Sequence, residues 1–200
     1  MGALLGFSNS IDRLNTWLNK YVIWLILIAT LVSAINALVR KIFNTSSNAF
    51  LEIQWYFFAA SFLLASAYTL LNNDHVKIDV IYSRFSRRTQ TQIDIFGFLV
   101  FLLPMCTAIL WFGVPFFVQG FVSNEMSSNA GGLIRWPVYA MLPLGFGLLW
   151  LQGVSELIKR IAFLQGLIED PSVKKDEKSA EELLAEEIRK LAEAKAQQQA

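Results

Sequence analysis

Residues Tyr21–Val39 read YVIWLILIATLVSAINALV, an uncharged run closed by Arg40 and Lys41. An α-helix crosses the roughly 30 Å of bilayer hydrocarbon in about 20 residues. A transmembrane strand needs only about 9–11 residues and should alternate strictly between its two faces, which this run does not. The stretch therefore predicts a spanning helix. Ser33 and Ala34 would permit a weak signal-peptide cleavage site. However, the apolar run exceeds the roughly 7–15 residues of a secretory leader and starts unusually far from Met1, so a retained helix is the preferred reading.

Three further segments have the same character. Phe50–Leu71 reads FLEIQWYFFAASFLLASAYTLL and stops at Asn72, Asn73 and Asp74. A third runs from about Ile93 to Val118, and a fourth from about Trp136 to Ile158, closed by Lys159 and Arg160. Of the 200 residues, 54% are hydrophobic and 16% charged, whereas soluble domains average about 45–50% and about 25%. Abundant Phe and Trp suit a lipid-facing surface and its interfacial belts. The expected fold is an all-α polytopic membrane protein with four transmembrane helices, an amphipathic cytoplasmic connection and a polar C-terminal tail. Its expected parts are an N-terminal segment over residues 1–20, a membrane domain over 21–160 and a tail over 161–200. Pro104, Pro115 and Pro143 each remove a helix hydrogen bond, so bends or interruptions are expected in the last two spans.

Basic residues orient such a bundle, because cytoplasmic flanks collect Lys and Arg. The side of the N-terminus receives Arg13, Lys20, Lys77, Arg84, Arg87, Arg88, Lys159 and Arg160; the other side receives Arg40, Lys41 and Arg135. Both termini are therefore expected in the cytoplasm. A net charge of +1, with no basic face beyond what topology requires, gives no reason to expect a nucleic-acid partner.

Between spans two and three lies NNDHVKIDVIYSRFSRRTQTQ. Val76, Ile78 and Val80 alternate as in a short strand, but Ile78, Ile81, Tyr82 and Phe85 also gather on one side of a helix. The preferred reading is an amphipathic interfacial helix comprising His75, Lys77, Asp79, Tyr82, Arg84, Arg87 and Arg88, with its basic residues near lipid headgroups. A solvated linker is the alternative. In the outer connection, Asn129-Ala130-Gly131-Gly132 reads as a turn, and no phosphate-loop Lys or Ser/Thr accompanies it. Past Pro171, Ser179 resembles a helix cap ahead of Leu183, Leu184, Ile188 and Leu191 at helical spacing. That pattern predicts a short exposed helix.

Polar groups within apolar spans are costly and face protein or water. Glu52 is expected to pair either with Arg40 or Lys41 across the short outer connection, or with a basic residue on another subunit. Asp94 is expected to pair at the inner membrane edge with the nearby Lys77, Arg84 or Arg87. Ala59, Ala60, Ser61, Ala65, Ser66 and Ala67 permit close helix packing. A lone His75 and a lone Cys106 build neither a metal site nor an activated thiol. No clustered acid–base set is visible, so no catalysis and no cofactor are expected of this chain.

The run Glu52-Ile53-Gln54-Trp55-Tyr56, followed by Tyr68-Thr69-Leu70, by Asp74-His75-Val76-Lys77-Ile78-Asp79-Val80 and by Tyr82, resembles the small permease subunit of tripartite ATP-independent periplasmic (TRAP) transporters. Asp94, Gly97 and Pro104 extend this DctQ-like pattern, which covers about Leu14 to Arg160. The resemblance implies a bacterial inner-membrane scaffold subunit without catalytic residues. It implies a large permease partner carrying the substrate and sodium sites, and a periplasmic binding protein delivering an organic acid or related solute. It makes Glu52, Gln54, Trp55 and Tyr56 candidate scaffold or subunit contacts. An autonomous small carrier or channel is the rival reading, and would need groups such as Asn36 and Glu52 to face a pathway.

Overall fold

The computed structural model describes residues 1–44, 47–74, 82 and 84–169. They form α1 (Gly2–Phe43), α2 (Asn48–Leu71), α3 (Arg87–Gly97), a π-helical turn (Phe98–Leu102), α4 (Leu103–Val122) and α5 (Trp136–Leu164). The fold is all-α; among the described residues the β pairing is a single isolated antiparallel bridge, Met126–Ile134. Among the described residues, four helical runs are long and apolar enough to cross a membrane: Gly2–Phe43, Asn48–Leu71, Arg87–Val122 and Trp136–Leu164. His75, Lys77 and Asp79 of the inner connection, and the helix expected after Ser179, lie outside the described residues.

α1 runs without interruption through residue 20. At 1.5 Å per residue, the 42 residues of α1 span about 63 Å, roughly twice the hydrocarbon thickness. Charge at Arg13 and Lys20 marks where the apolar run begins but does not stop a helix, since its backbone hydrogen bonds are internal at either depth. The third run likewise starts early, at Arg87, where the Ser86 side chain accepts from the Thr89 N–H at 3.3 Å.

The helix ends share one stop. Asn73, Asn124 and Gly166 take positive φ (54°, 47° and 72°) just past α2, α4 and α5. There the N–H groups of Asp74, Glu125 and Leu167 reach back to the carbonyls of Thr69, Gly120 and Ala162 at 3.1, 3.1 and 3.0 Å. This left-handed closure satisfies carbonyls that would otherwise be orphaned. Asn tolerates it because its short polar side chain relieves the left-handed penalty.

Proline ends neither of the last two spans, and one of them is interrupted beside a proline. α4 continues through Pro115 and α5 through Pro143. The π turn falls immediately before Pro104, with the Leu103 N–H bonded to the Phe98 carbonyl. Pro104 has no N–H to give and crowds the carbonyl four residues back, so a wider turn there accommodates it.

α5 packs against α1, α2 and α4, and α1 packs against α2. Leu70, Cys106 and Leu149 form the buried apolar centre, with Phe98, Leu102, Phe146 and Trp150 around it. Small residues let these helices approach: Ala60, Ser61 and Ala67 are buried on α2, and Gly145 and Gly153 on α5. Large apolar side chains point outward instead, with Phe62, Trp111 and Phe112 about three-quarters exposed. Such a surface suits hydrocarbon or another apolar chain rather than water.

Candidate functional site

Polar chemistry collects at both ends of the bundle. At the end holding the N-terminus, Arg160 is 1% exposed and lies on the last turns of α5. Its Nε donates to Asp94 Oδ2 at 3.1 Å, its Nη2 to Asn73 Oδ1 at 3.1 Å, and its Nη1 to Glu156 Oε2 one turn back. The guanidinium also sits 4.6 Å from the centre of the Phe98 ring. Tyr82 donates to Asp94 Oδ1 at 2.9 Å, while Gln90 caps the Tyr82 and Phe85 carbonyls at 3.0 and 2.9 Å. One buried cation thereby ties α2, α3 and α5 together.

The adjoining face of α5 binds the N-terminal half of α1. Ser8 and Ser155 share a hydroxyl hydrogen bond of 2.6 Å, and Asn15 donates to Gln152 at 2.7 Å. Asp12 accepts from Gln152 at 2.9 Å, from Ser155 at 2.9 Å and from Lys159 at 3.1 Å. Lys159 also pairs with Glu156. These residues fall at helical spacing, 8-12-15 on α1 and 152-155-156-159 on α5, so two polar stripes meet along antiparallel helices. Composition-level reading missed this pairing, although the spacing of both stripes was visible.

At the other end, one face of α2 holds the loop between α4 and α5. Asn48 donates to the Ala130 carbonyl at 2.9 Å, and Tyr56 to the Ile134 carbonyl at 3.0 Å. Between them Glu52 accepts from the Ser127 hydroxyl, from Asn129 Nδ2 at 2.8 Å and from the Leu133 N–H at 2.7 Å. Residues 48, 52 and 56 are each one turn apart, so a single helix edge supplies the whole clasp. The loop folds as expected: Gly132 N–H reaches the Asn129 carbonyl at 2.9 Å, with Gly131 at φ 71°. Glu125 accepts from Arg135 at 3.2 Å and Tyr139 at 2.9 Å, closing the loop onto α5. Tyr139 and Glu125 beside it hold the Arg135 guanidinium above its ordinary range.

The sequence-predicted residues separate on these surfaces. Glu52 is buried, and its partners are loop groups rather than Arg40 or Lys41, which are exposed in the last turn of α1 and complement its helix dipole. Tyr56 joins the clasp, Gln54 is buried with its Nε2 unpartnered among the described residues, and Trp55 is 68% exposed. Asp94 meets Arg160 and Tyr82. Arg84, Arg87 and Arg88 are exposed, with Arg87 donating to Gln90 at 3.4 Å. Among the described residues, no group of three or more His, Cys, Asp or Glu is placed to hold a metal ion.

Residues 29–163 match the family described as tripartite ATP-independent periplasmic transporters, DctQ component. The chain belongs to this family. No curated relative matches it. As a DctQ-family protein it is a multi-pass, non-catalytic subunit of a transport system. The outer clasp lies wholly within the DctQ match, whereas Ser8, Asp12 and Asn15 precede it.

Proposed function

We propose that this chain is the small membrane subunit of a TRAP-type secondary transporter, holding a large permease in place while that partner moves solute. The observation that carries the reading is the DctQ match over residues 29–163. On this reading the large permease carries the substrate and ion sites, and a gradient, taken to be sodium, drives uptake. A periplasmic binding protein delivers an organic acid or related solute. The chain stands in a bacterial inner membrane with both termini cytoplasmic, in keeping with its basic flanks.

Two features support a rigid scaffold. Each end of the bundle is cross-braced, by Arg160 and Asp12 at one end and by Glu52 at the other. Trp55, Phe58 and Phe62 share an exposed face of α2, offering apolar contact area to a partner within the bilayer. The test is sodium-driven uptake in proteoliposomes containing this chain, its large permease partner, or both, with the cognate binding protein outside. Uptake requiring both subunits, with copurification, supports the scaffold. Equal uptake by the large permease alone removes the essential role, and flux through this chain alone replaces it with an autonomous carrier.

A further inference from the structure

One face of α1 carries an ordered series of side chains. Arg13, Trp17, Lys20 and Trp24 follow at spacings of four, three and four, which stacks them on one side of the helix. All four are exposed, and the Tyr21 ring meets Trp17 edge-on at 4.9 Å. The same side continues through Leu31, Ile35 and Leu38, also exposed. Along a single face the helix therefore reads cation, aromatic, cation, aromatic, then aliphatic.

Asn9, Asp12, Arg13, Thr16, Trp17 and Lys20 line a shallow groove of about 480 Å³. The Asp12 carboxylate in this groove is directed at Gln152, Ser155 and Lys159 of α5 rather than at Arg13 or Lys20. Among the described residues neither Arg13 nor Lys20 forms an ion pair. Two uncompensated cations one above the other, with indole rings between and below them, suit a phosphate at the headgroup level. The aliphatic stripe beneath suits acyl chains.

We propose that the Arg13–Trp17–Lys20–Trp24 face of α1 is a binding site for an anionic phospholipid of the phosphatidylglycerol type. The phosphate bridges the guanidinium and ammonium groups, the glycerol lies against Trp17 and Tyr21, and a chain runs past Trp24 toward Leu31. The bound lipid sets the depth of α1, leaving the turns around Ser8 and Asp12 at the level of their α5 partners. The inference rests on α1 crossing a bilayer and is independent of the transporter assignment.

The test titrates the full chain in neutral detergent with phosphatidylglycerol or phosphatidylcholine, counting bound lipid by native mass spectrometry and following the unfolding temperature. The wild type is expected to retain phosphatidylglycerol and gain unfolding temperature, with phosphatidylcholine doing neither. Removing both charges in Arg13→Gln with Lys20→Gln is expected to weaken phosphatidylglycerol binding roughly 25-fold, about fivefold for each cation. Swapping the cations, Arg13→Lys with Lys20→Arg, keeps the charge and is expected to keep the binding, which separates lost charge from lost folding. Arg40→Gln with Lys41→Gln, at the far end of the same helix, is expected to leave the affinity intact. Equal retention of both lipids by the wild type, equal loss from the two charge-removing variants, or weak binding by the swapped pair overturns the proposal.

Discussion

Arg160 on α5 and Asp94 on α3 are joined by a 3.1 Å hydrogen-bonded ion pair, with the Arg160 side chain 1% and the Asp94 side chain 12% exposed. A buried charge loses its hydration and is tolerated only when geometry and further hydrogen bonds replace that hydration. Arg160 meets the condition with Glu156, Asn73 and the Phe98 ring in addition to Asp94. The pair therefore fixes where the third run begins relative to the end of the fourth.

Removing the shared cation should be more damaging than its single position suggests. Arg160→Met removes the ion pairs to Asp94 and Glu156 and the hydrogen bond to Asn73, and stability is expected to fall by about 3–5 kcal/mol. Arg160→Lys should rescue only part of this, because an ammonium cannot reproduce the planar fork that reaches three partners. Equilibrium unfolding in detergent measures both; a loss below about 1 kcal/mol for Arg160→Met would show that the network adds nothing beyond a surface ion pair.

Glu52→Ala should free the outer loop without loosening the inner network. The carboxylate gathers the Ser127 hydroxyl, the Asn129 amide and the Leu133 N–H, so its loss removes the centre of the clasp and leaves Asn48 and Tyr56 at its edges. Hydrogen exchange over residues 125–135 is expected to speed up by about tenfold or more, with exchange near Asn73 and Asp94 unchanged. Unaltered loop exchange would show that the loop holds its own shape.

The spans were legible because the bilayer dictates their length and composition, and the resemblance around Glu52 through Tyr82 pointed to the right family. Pairing was less legible, for a physical reason. A buried carboxylate at Glu52 suggests a cationic partner, either Arg40 or Lys41 or a basic residue on another subunit. The fold instead supplied a hydroxyl, an amide and a backbone N–H from a loop 75–81 positions on. For Asp94 the sequence points to nearby basic residues, of which Lys77 lies outside the described residues; the fold adds Arg160, 66 positions away, where the third and fourth runs meet. The docking of the α1 arm, residues 2–18, was harder to read because Arg13 and Lys20 look like a membrane boundary, although 8-12-15 on α1 and 152-155-159 on α5 are complementary polar stripes.

Those stripes predict a selective effect on the arm. Asp12→Ala removes the acceptor for Gln152, Ser155 and Lys159, at a cost of about 2 kcal/mol for hydrogen bonds to a charged group. Lys159 retains Glu156, so the α5 side stays paired. Residues 2–18 are expected to become protease-sensitive while α2 and α4 stay protected. Cleavage unchanged from wild type would mean that Ser8 and Asn15 suffice to dock the arm.

Helix contact in the bilayer depends on side-chain size, and two neighbouring glycines of α5 separate that effect from helix propensity. A Cβ added at Gly145 would lie 2.7 Å from both the Cβ and the carbonyl oxygen of Leu63, whereas one added at Gly147 meets only Leu110 Cδ2 at 4.0 Å. Both changes raise helix propensity equally. Only Gly145→Ala forces α2 and α5 apart, so it is expected to destabilise by about 1–3 kcal/mol while Gly147→Ala is neutral or slightly stabilising. Unfolding midpoints of the two variants give the comparison directly. Equal midpoints would mean that the α2–α5 crossing relaxes freely, and the close approach at Leu63 would then not be what holds the second span against the fourth.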